Sequence, residues 1–471
     1  MPRKTVEPRN AEPAALAFIP RSAPMTRYMP GFADRAVPRY TSYPTAAEFT
    51  AAVGFRHQIG ALRTLPPGMP VSLYVHIPYC REICFYCACN TGRIGAPERL
   101  ERYVETVMRE ASLMAEHMRA RVVSMHFGGG SPNALDPGQF ERLVAHLRTT
   151  FACTTSPEIA VELDPRTLDR PYAEALARAG VTRASLGVQT FAPHIQRVIG
   201  RWQPYERVFE AVGDLRHAGI GRVSLDLMYG LPHQSIDDIR ETISAALQLQ
   251  PDRISMFGYA HVPSIQPRQR AIDASTLPDG ETRFAQSELA FSLLTRAGFS
   301  PIGFDHFARP GDPLAHAAAT GRLRRNFQGF TDEPGQAVLG LGASAISQFE
   351  GLLVQNHKHE GAYRKAIMAG DLAGCRGVVR TADDRMRGQA IERLLCDGAV
   401  DLDAIAGEYG RQPQAFASAL PRLSELDHAG LIEQAGWTVR ITALGRPYAR
   451  LAASAFDSAR DGSAGQFSRA I

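Results

Sequence analysis

The chain lacks any apolar run approaching the length of a membrane span, and its first residues lack the apolar core of a secretory signal. No membrane association is expected, and the expected location is the cytoplasm. An excess of charge is missing too: 52 Lys and Arg face 48 Asp and Glu, a net charge of +4. That bias suits an anionic substrate and is too weak to argue for nucleic acid. Internal repeats are absent, and low-complexity sequence is confined to an N-terminal tail. Cysteine is scarce, with 7 in 471 residues. Cys153, Cys375 and Cys396 lie scattered in apolar or mixed contexts and read as free thiols of a reducing compartment. The rest is ordinary: 21% charged and 45% hydrophobic residues mark a globular protein. The length predicts one large domain with extensions, and a monomer is expected.

The other four cysteines crowd into residues 74–90, as Cys80, Cys84, Cys87 and Cys89. The first three are spaced C-x3-C-x2-C, with the fourth one residue beyond. Three thiolates on a short loop can hold three irons of a [4Fe–4S] cube and leave the fourth iron open to a small molecule. Cys-x-x-Cys alone is also a zinc or thiol-redox signature. No second close Cys or His pair accompanies it here, so a zinc site would need distant His residues. The stretch before the loop, Val71–Ile77, is apolar and alternating and reads as a buried strand.

Residues 1–53 read as a tail and a strap, the strap carrying two tyrosines and a proline frame at Pro38–Thr45. From residue 71 short β-branched runs (71–77, 122–127, 158–163, 183–188, 221–227, 252–258) alternate with helical stretches near 97–118, 136–150, 167–179, 204–218, 235–249 and 281–297. Six βα units predict an α/β fold, a partial (β/α)6 TIM-like barrel with its site at the C-terminal ends of the strands. Those ends are polar or glycine-rich: Gly128-Gly129-Gly130-Ser131, Glu162, Gln189, Asp226 and Tyr259-Ala260-His261. Each alone is as readily a cap or a satisfied core group; together they predict a shared pocket. Two basic-aromatic segments follow, His306–Pro310 and Arg322–Phe330, of the kind that is usually a solvated face, and Gly340–Ser347 has the small residues of a tight turn. The catalytic domain is expected over 54–375, with the cluster loop at 80–87. Residues 376–471 are expected to form a small, mainly helical, winged-helix-like domain, with helices near 384–396 and 411–429 and a terminal hairpin. Its second helix is hardly basic, which favours a cover over a DNA-binding unit.

The cysteine loop, the triple-glycine strand end and the six βα units resemble the radical S-adenosylmethionine (SAM) superfamily. The segment Arg39–Pro44, the step Cys87-Ala88-Cys89, and the segments His306–Pro310 and Arg325–Gly329 resemble the oxygen-independent coproporphyrinogen III oxidase family over about residues 38–471. The resemblance implies cluster ligation by Cys80, Cys84 and Cys87, with Cys89 a neighbour. It implies a first SAM at Tyr74, Gly129, Glu162 and Ile346, chelating the open iron. A second SAM is implied at Tyr86, Ala88, Gly130, Ser131, Gln189, Arg201, Asp226 and Ala260. Tyr86, Ala88 and Ser131 depart from the Phe, Gly and Thr of the family pattern. The implied chemistry is a 5′-deoxyadenosyl radical that takes hydrogen from a propionate β-carbon. CO2 then leaves, and two rounds turn coproporphyrinogen III into protoporphyrinogen IX, with electrons from a flavodoxin- or ferredoxin-like donor. Glu162 suits ribose hydroxyls and Arg201 a SAM carboxylate. Tyr40, Tyr43 and Gln328 are expected over the active site with Tyr74, and Arg309, Arg322, Arg324 or Arg325 at the substrate propionates. The competing readings are another two-SAM radical enzyme such as a methyltransferase, a haem-binding chaperone with a similar loop, and a DNA-binding redox sensor.

Overall fold

The computed structural model describes residues 26–333, 335–460 and 467–470. Most of the expected tail, residues 1–25, lies outside them. One sheet of twelve strands runs through the molecule. Its strands are β1 (Pro70–Ile77), β2 (Arg121–Gly129), β3 (Cys153–Leu163), β4 (Arg183–Gln189), β5 (Arg222–Tyr229), β6 (Arg253–Gly258), β7 (Ser300–Ile302), β8 (His306–Ala308), β9 (Ala337–Leu341), β10 (Ile346–Gln348), β11 (Leu352–Asn356) and β12 (Gly374–Val379). The order is β12-β11-β10-β9-β1-β2-β3-β4-β5-β6-β8-β7. Strands β1 to β6 pair in parallel in chain order, as the alternating pattern predicted.

The helices between them are α1 (Pro97–Ala115), α2 (Pro137–Thr150), α3 (Arg170–Arg178), α4 (Tyr205–His217), α5 (Ile236–Gln248) and α6 (Gly280–Arg296). Leu100, Tyr103, Val104, Val107, Ala111 and Met114 recur at helical spacing along α1, and all are buried. Their partners are the outward-facing Leu73, Val75 and Ile77 of β1, each fully buried in the same core. The intervening Ser72, Tyr74 and His76 consequently face the barrel interior. Asp136 and Ser235 cap α2 and α5 through boxes closed by Gln139 and Asp238.

Three expectations need correction. Gly340 and Leu341 end a strand, β9, which pairs in parallel with β1, and only Gly342 to Ser344 turn. The small residues masked a buried strand whose partner lies far away in sequence. His306–Ala308 is likewise a strand and Arg324–Thr331 a tight hairpin, and Phe307, Arg325 and Phe330 are buried; neither is a solvated face. The expected helix at 411–429 is a 3-10 stretch (Pro413–Ala419) followed by a short helix (Leu420–His428), because Pro413 and Pro421 interrupt the backbone ladder.

The C-terminal region adds a helix at Ala382–Asp397, ended by left-handed Gly398, and a three-stranded sheet that contains the expected hairpin Ile432–Ala435/Thr438–Ile441. The strap packs here and also reaches the barrel, where Arg39 donates to the Gly258 carbonyl at 2.6 Å and Val53 joins the main core. Ala33, Val37, Tyr40 and Tyr43 share a core with Met386, Ile391, Leu423 and Phe456.

Candidate active site

Strand β1 delivers the cluster loop at the mouth of the barrel, and the backbone of β2 grips it there. The Gly130 amide donates to the Ile77 carbonyl at 2.9 Å, and the Ser131 amide to the Tyr79 carbonyl at 2.8 Å. The three glycines are required one by one. A Cβ on Gly128 would lie 2.5 Å from the Glu162 carboxyl carbon, one on Gly129 2.2 Å from the His76 ring, and one on Gly130 2.5 Å from the Ile77 carbonyl oxygen. Gly129 also has φ +94°, which other residues rarely adopt.

The inward positions of neighbouring strands meet beside this grip. His126 Nε2 lies 2.9 Å from Glu162 Oε1, and the Gly129 amide donates to Glu162 Oε2 at 3.1 Å. Burial pushes the Glu162 carboxyl up, but His126 and the Gly129 amide outweigh it and leave it below its ordinary range. Tyr74 stacks on His126, with centroids 5.9 Å apart, and its hydroxyl is 3.1 Å from His76 Nδ1. Burial and the Glu162 charge push the Tyr74 phenol well up, so it stays protonated. His76 Nε2 is 3.2 Å from the Asn90 carbonyl and so fastens the far end of the cluster loop. Neither His76 nor His126 stands out in the sequence; the period-2 run Ser124-x-His126-x-Gly128 is the signal that points to His126.

Cys80, Cys84 and Cys87 are all free thiols. Among the described residues no three His, Cys, Asp or Glu side chains converge as ligands of one metal ion would. Three thiols on one short loop suit the donor set of a cube with an open iron. Its surroundings suit thiolates: Arg201 Nη1 and Arg166 Nη2 point at Cys84 Sγ from 3.3 and 3.7 Å. The Cys89 amide donates to Cys87 Sγ at 3.4 Å.

The remaining predicted residues divide. Tyr86, Ala88 and Ala260 are brought together by residues 262–272: Gln269 Nε2 donates to the carbonyls of Tyr86 (2.9 Å) and Ala260 (3.1 Å), and Gln266 to that of Ala88 (2.8 Å). Gln189 sits at a bulge at the end of β4 with φ +70°, a strained conformation of the kind found at binding sites. Asp226 accepts from Ser185 Oγ at 2.9 Å, and burial with the Glu162 charge raises its carboxyl. Ile346 opens β10 beside Gly340, where a Cβ would strike its backbone at 2.7 Å. Arg201 is committed: besides Cys84 it donates to the Gly187 carbonyl at 2.5 Å and to Gln203 Oε1 at 3.0 Å, and it pairs with Asp164. Gln328 is held on the hairpin with its Nε2 buried and without a partner. The hydroxyls of Tyr40 and Tyr43 bond Asp457 (2.8 Å) and Ser458 (3.1 Å). Arg309 lies at the N-terminal end of the strands, over the Phe299 ring at 4.5 Å. Arg322, Arg324 and Arg325 line a cavity of about 760 Å3, and Arg324 is paired there with Glu392 at 2.8 Å.

Fold and mouth together define a radical SAM enzyme, and the pattern of the radical SAM superfamily matches residues 74–246. The HemN C-terminal domain pattern matches residues 381–448. The chain is 42% identical to the oxygen-independent coproporphyrinogen III oxidase of Bradyrhizobium diazoefficiens, over 93% of this chain and 98% of that one. It is 39% identical to the enzyme of that name from Pseudomonas aeruginosa, over 90% and 94%. The solved coproporphyrinogen III oxidase of Escherichia coli, a radical SAM enzyme, superposes with a TM-score of 0.86 at 35% identity, covering 89% of this chain and 97% of that one. The chain belongs to the oxygen-independent coproporphyrinogen III oxidase family.

Proposed function

We propose that the chain oxidatively decarboxylates two propionate side chains of coproporphyrinogen III to vinyl groups, without oxygen, giving protoporphyrinogen IX for haem synthesis. The observation that carries this reading is the mouth itself: three free thiols on one loop, gripped by the β2 glycines beside Tyr74 and the Glu162–His126 pair. The 42% identity to an enzyme of that name extends it to the substrate.

Cys80, Cys84 and Cys87 would hold the [4Fe–4S] cube. Tyr74, Gly129, Glu162 and Ile346 would hold one SAM. Tyr86, Ala88, Gly130, Ser131, Gln189, Asp226 and Ala260 would surround a second. Bound there, the cluster and SAM supply a one-electron cleavage that yields a carbon radical able to take a hydrogen atom.

The chain's own residues do the positioning. Glu162, kept ionised by His126, accepts hydroxyl hydrogen bonds. Arg166 and Arg201 place positive charge against Cys84, so Arg201 serves the thiolate rather than a SAM carboxylate. The buried, unpartnered Gln328 amide is a donor for the substrate. Tyr40 and Tyr43 anchor the strap instead of meeting substrate. A flavodoxin- or ferredoxin-like donor, a cytoplasmic location and a monomeric state complete the proposal, with the C-terminal domain as a cover and no nucleic acid bound. No helix among the described residues is long and apolar enough to cross a membrane.

The test is anaerobic. The cluster is reconstituted, and SAM, reductant and coproporphyrinogen III are added. The expected result is divinyl product with two CO2 released per substrate. Methionine and 5′-deoxyadenosine without any change in the porphyrinogen would overturn the substrate assignment.

A further inference from the structure

Six large apolar side chains among the described residues stand well exposed, and three of them ring the cluster loop: Phe85 (38%), Trp202 (49%) and Ile265 (55%). They are fixed there by the backbone. The Phe85 amide donates to the Ile199 carbonyl at 3.0 Å, and the Phe85 ring lies where a side chain on Gly200 would fall, 3.1 Å from its Cβ position. Trp202 follows two residues later with the Arg197 guanidinium over its ring at 4.8 Å. Ile265 rides on the segment that Gln266 and Gln269 tie to Ala88 and Tyr86.

The same three segments are charged in one sense. Residues 78–95, 193–204 and 262–272 hold six arginines, of which only Arg201 is buried against a carboxylate, Asp164, and a single carboxylate of their own, in a chain whose net charge is only +4. That carboxylate, Glu82, is already spent on Arg166 at 2.5 Å. Among the described residues Arg81, Arg197 and Arg270 have no carboxylate partner. Apolar anchors inside a one-signed rim are the make-up of a transient protein interface.

We propose that this rim is the docking surface of a small acidic one-electron carrier protein, which rests on the cluster reading above. Phe85 lies between Cys84 and Cys87 in the chain, so a carrier seated on it would rest on the loop that would hold the cube. In the transfer the carrier is oxidised by one electron and the cube is reduced by one; no bond is made or broken. Polar-rimmed, one-signed contacts give fast, salt-sensitive encounter.

The probe is a purified acidic bacterial flavodoxin, used with the reconstituted full-length enzyme. Two variants, the double substitution Arg81→Glu/Arg197→Glu and the single substitution Trp202→Ala, are compared with the parent. Calorimetric titration with oxidised flavodoxin should show at least a tenfold weaker complex for each at low salt, and a parent affinity that falls as salt rises. Cluster reduction by flavodoxin hydroquinone, read by electron paramagnetic resonance, should slow at least tenfold. Reduction by dithionite should stay within twofold of the parent. Unchanged flavodoxin binding in both variants overturns the proposal, as does tighter binding of a single-stranded oligonucleotide than of flavodoxin. If the parent with dithionite cleaves no SAM, the cluster reading has failed instead, and the titration still reports on the surface.

Discussion

The two ends of the parallel strands share one sheet and differ in what their polar groups are doing. At the C-terminal ends, glycines leave the backbone bare and each carboxylate or ring is oriented by a neighbour: Glu162 by His126 and the Gly129 amide, Tyr74 by His76, Asp226 by Ser185. Cys84 faces two guanidiniums, and Gln189 is strained. At the N-terminal ends lies a cavity of about 760 Å3, lined with arginines. Most of that charge is spent: Arg324 on Glu392, Arg385 on Glu350, Arg393 on Asp397, and Arg325 on the carbonyls of Arg39 and Tyr40. The lesson is that volume and charge do not locate this site. Groups held in place with bonding capacity left over do.

If the mouth depends on bare backbone, its tightest glycine should tolerate nothing. Gly129→Ala adds a methyl group 2.2 Å from His76 at a φ of +94°. Strain and overpacking together should cost about 4 kcal/mol, read as a lowered denaturation midpoint. A variant within about 1 kcal/mol of the parent would show that the grip on the cluster loop is loose.

The back wall of the mouth gives the next largest effect, through pH. Glu110 of α1 is fully buried and accepts from the Gly342 amide, Asn356 Nδ2 and Tyr363 Oη, each at 2.7 Å. It thereby fixes the turn after β9. Burial outweighs these donors and raises the carboxyl from 4.5 to about 7. The folded state holds the proton that the unfolded state releases, so stability is fully present below pH 4.5 and lost as pH rises through about 7. The loss should be roughly 3 kcal/mol. In Glu110→Gln it should vanish, measured as the difference between the two proteins' unfolding free energies at pH 5 and pH 8. Parallel pH profiles would mean that Glu110 is ionised throughout.

Much of this was legible in the sequence, for a physical reason. The six parallel strands show as β-branched runs because both faces are covered, and the cysteine spacing and strand-end polar residues are local. What escaped depends on distant pairing. Strand β9 and the turn after it hide in Gly340 and Gly342, whose absent side chains are demanded by Ile346 and His76. Glu110 reads as one more helix carboxylate until Asn356 and Tyr363 meet it. Nothing in the sequence of the strap tyrosines points to Asp457 and Ser458, which meet their hydroxyls only in the fold.

Chemistry rather than folding should respond to Glu162→Gln. The amide keeps the shape, but its NH2 must face either His126 or the Gly129 amide, and the acceptor for a SAM hydroxyl is weakened. Turnover per SAM bound should fall about 10²-fold with little change in thermal midpoint. Equal activity would remove Glu162 from the site.

The smallest effect tests the other end. Arg324 is largely exposed (61% of its side chain) and pairs with Glu392 at 2.8 Å. Such a pair contributes roughly 0–1 kcal/mol. If the N-terminal cavity is a space between paired charges, Arg324→Gln should leave the Michaelis constant for coproporphyrinogen III within twofold and the unfolding free energy within about 1 kcal/mol. A tenfold rise in that constant with kcat unchanged would mean that a propionate reaches this arginine after all. The substrate would then have to span the barrel from one end to the other, and the contrast between the two ends would collapse into a single elongated site.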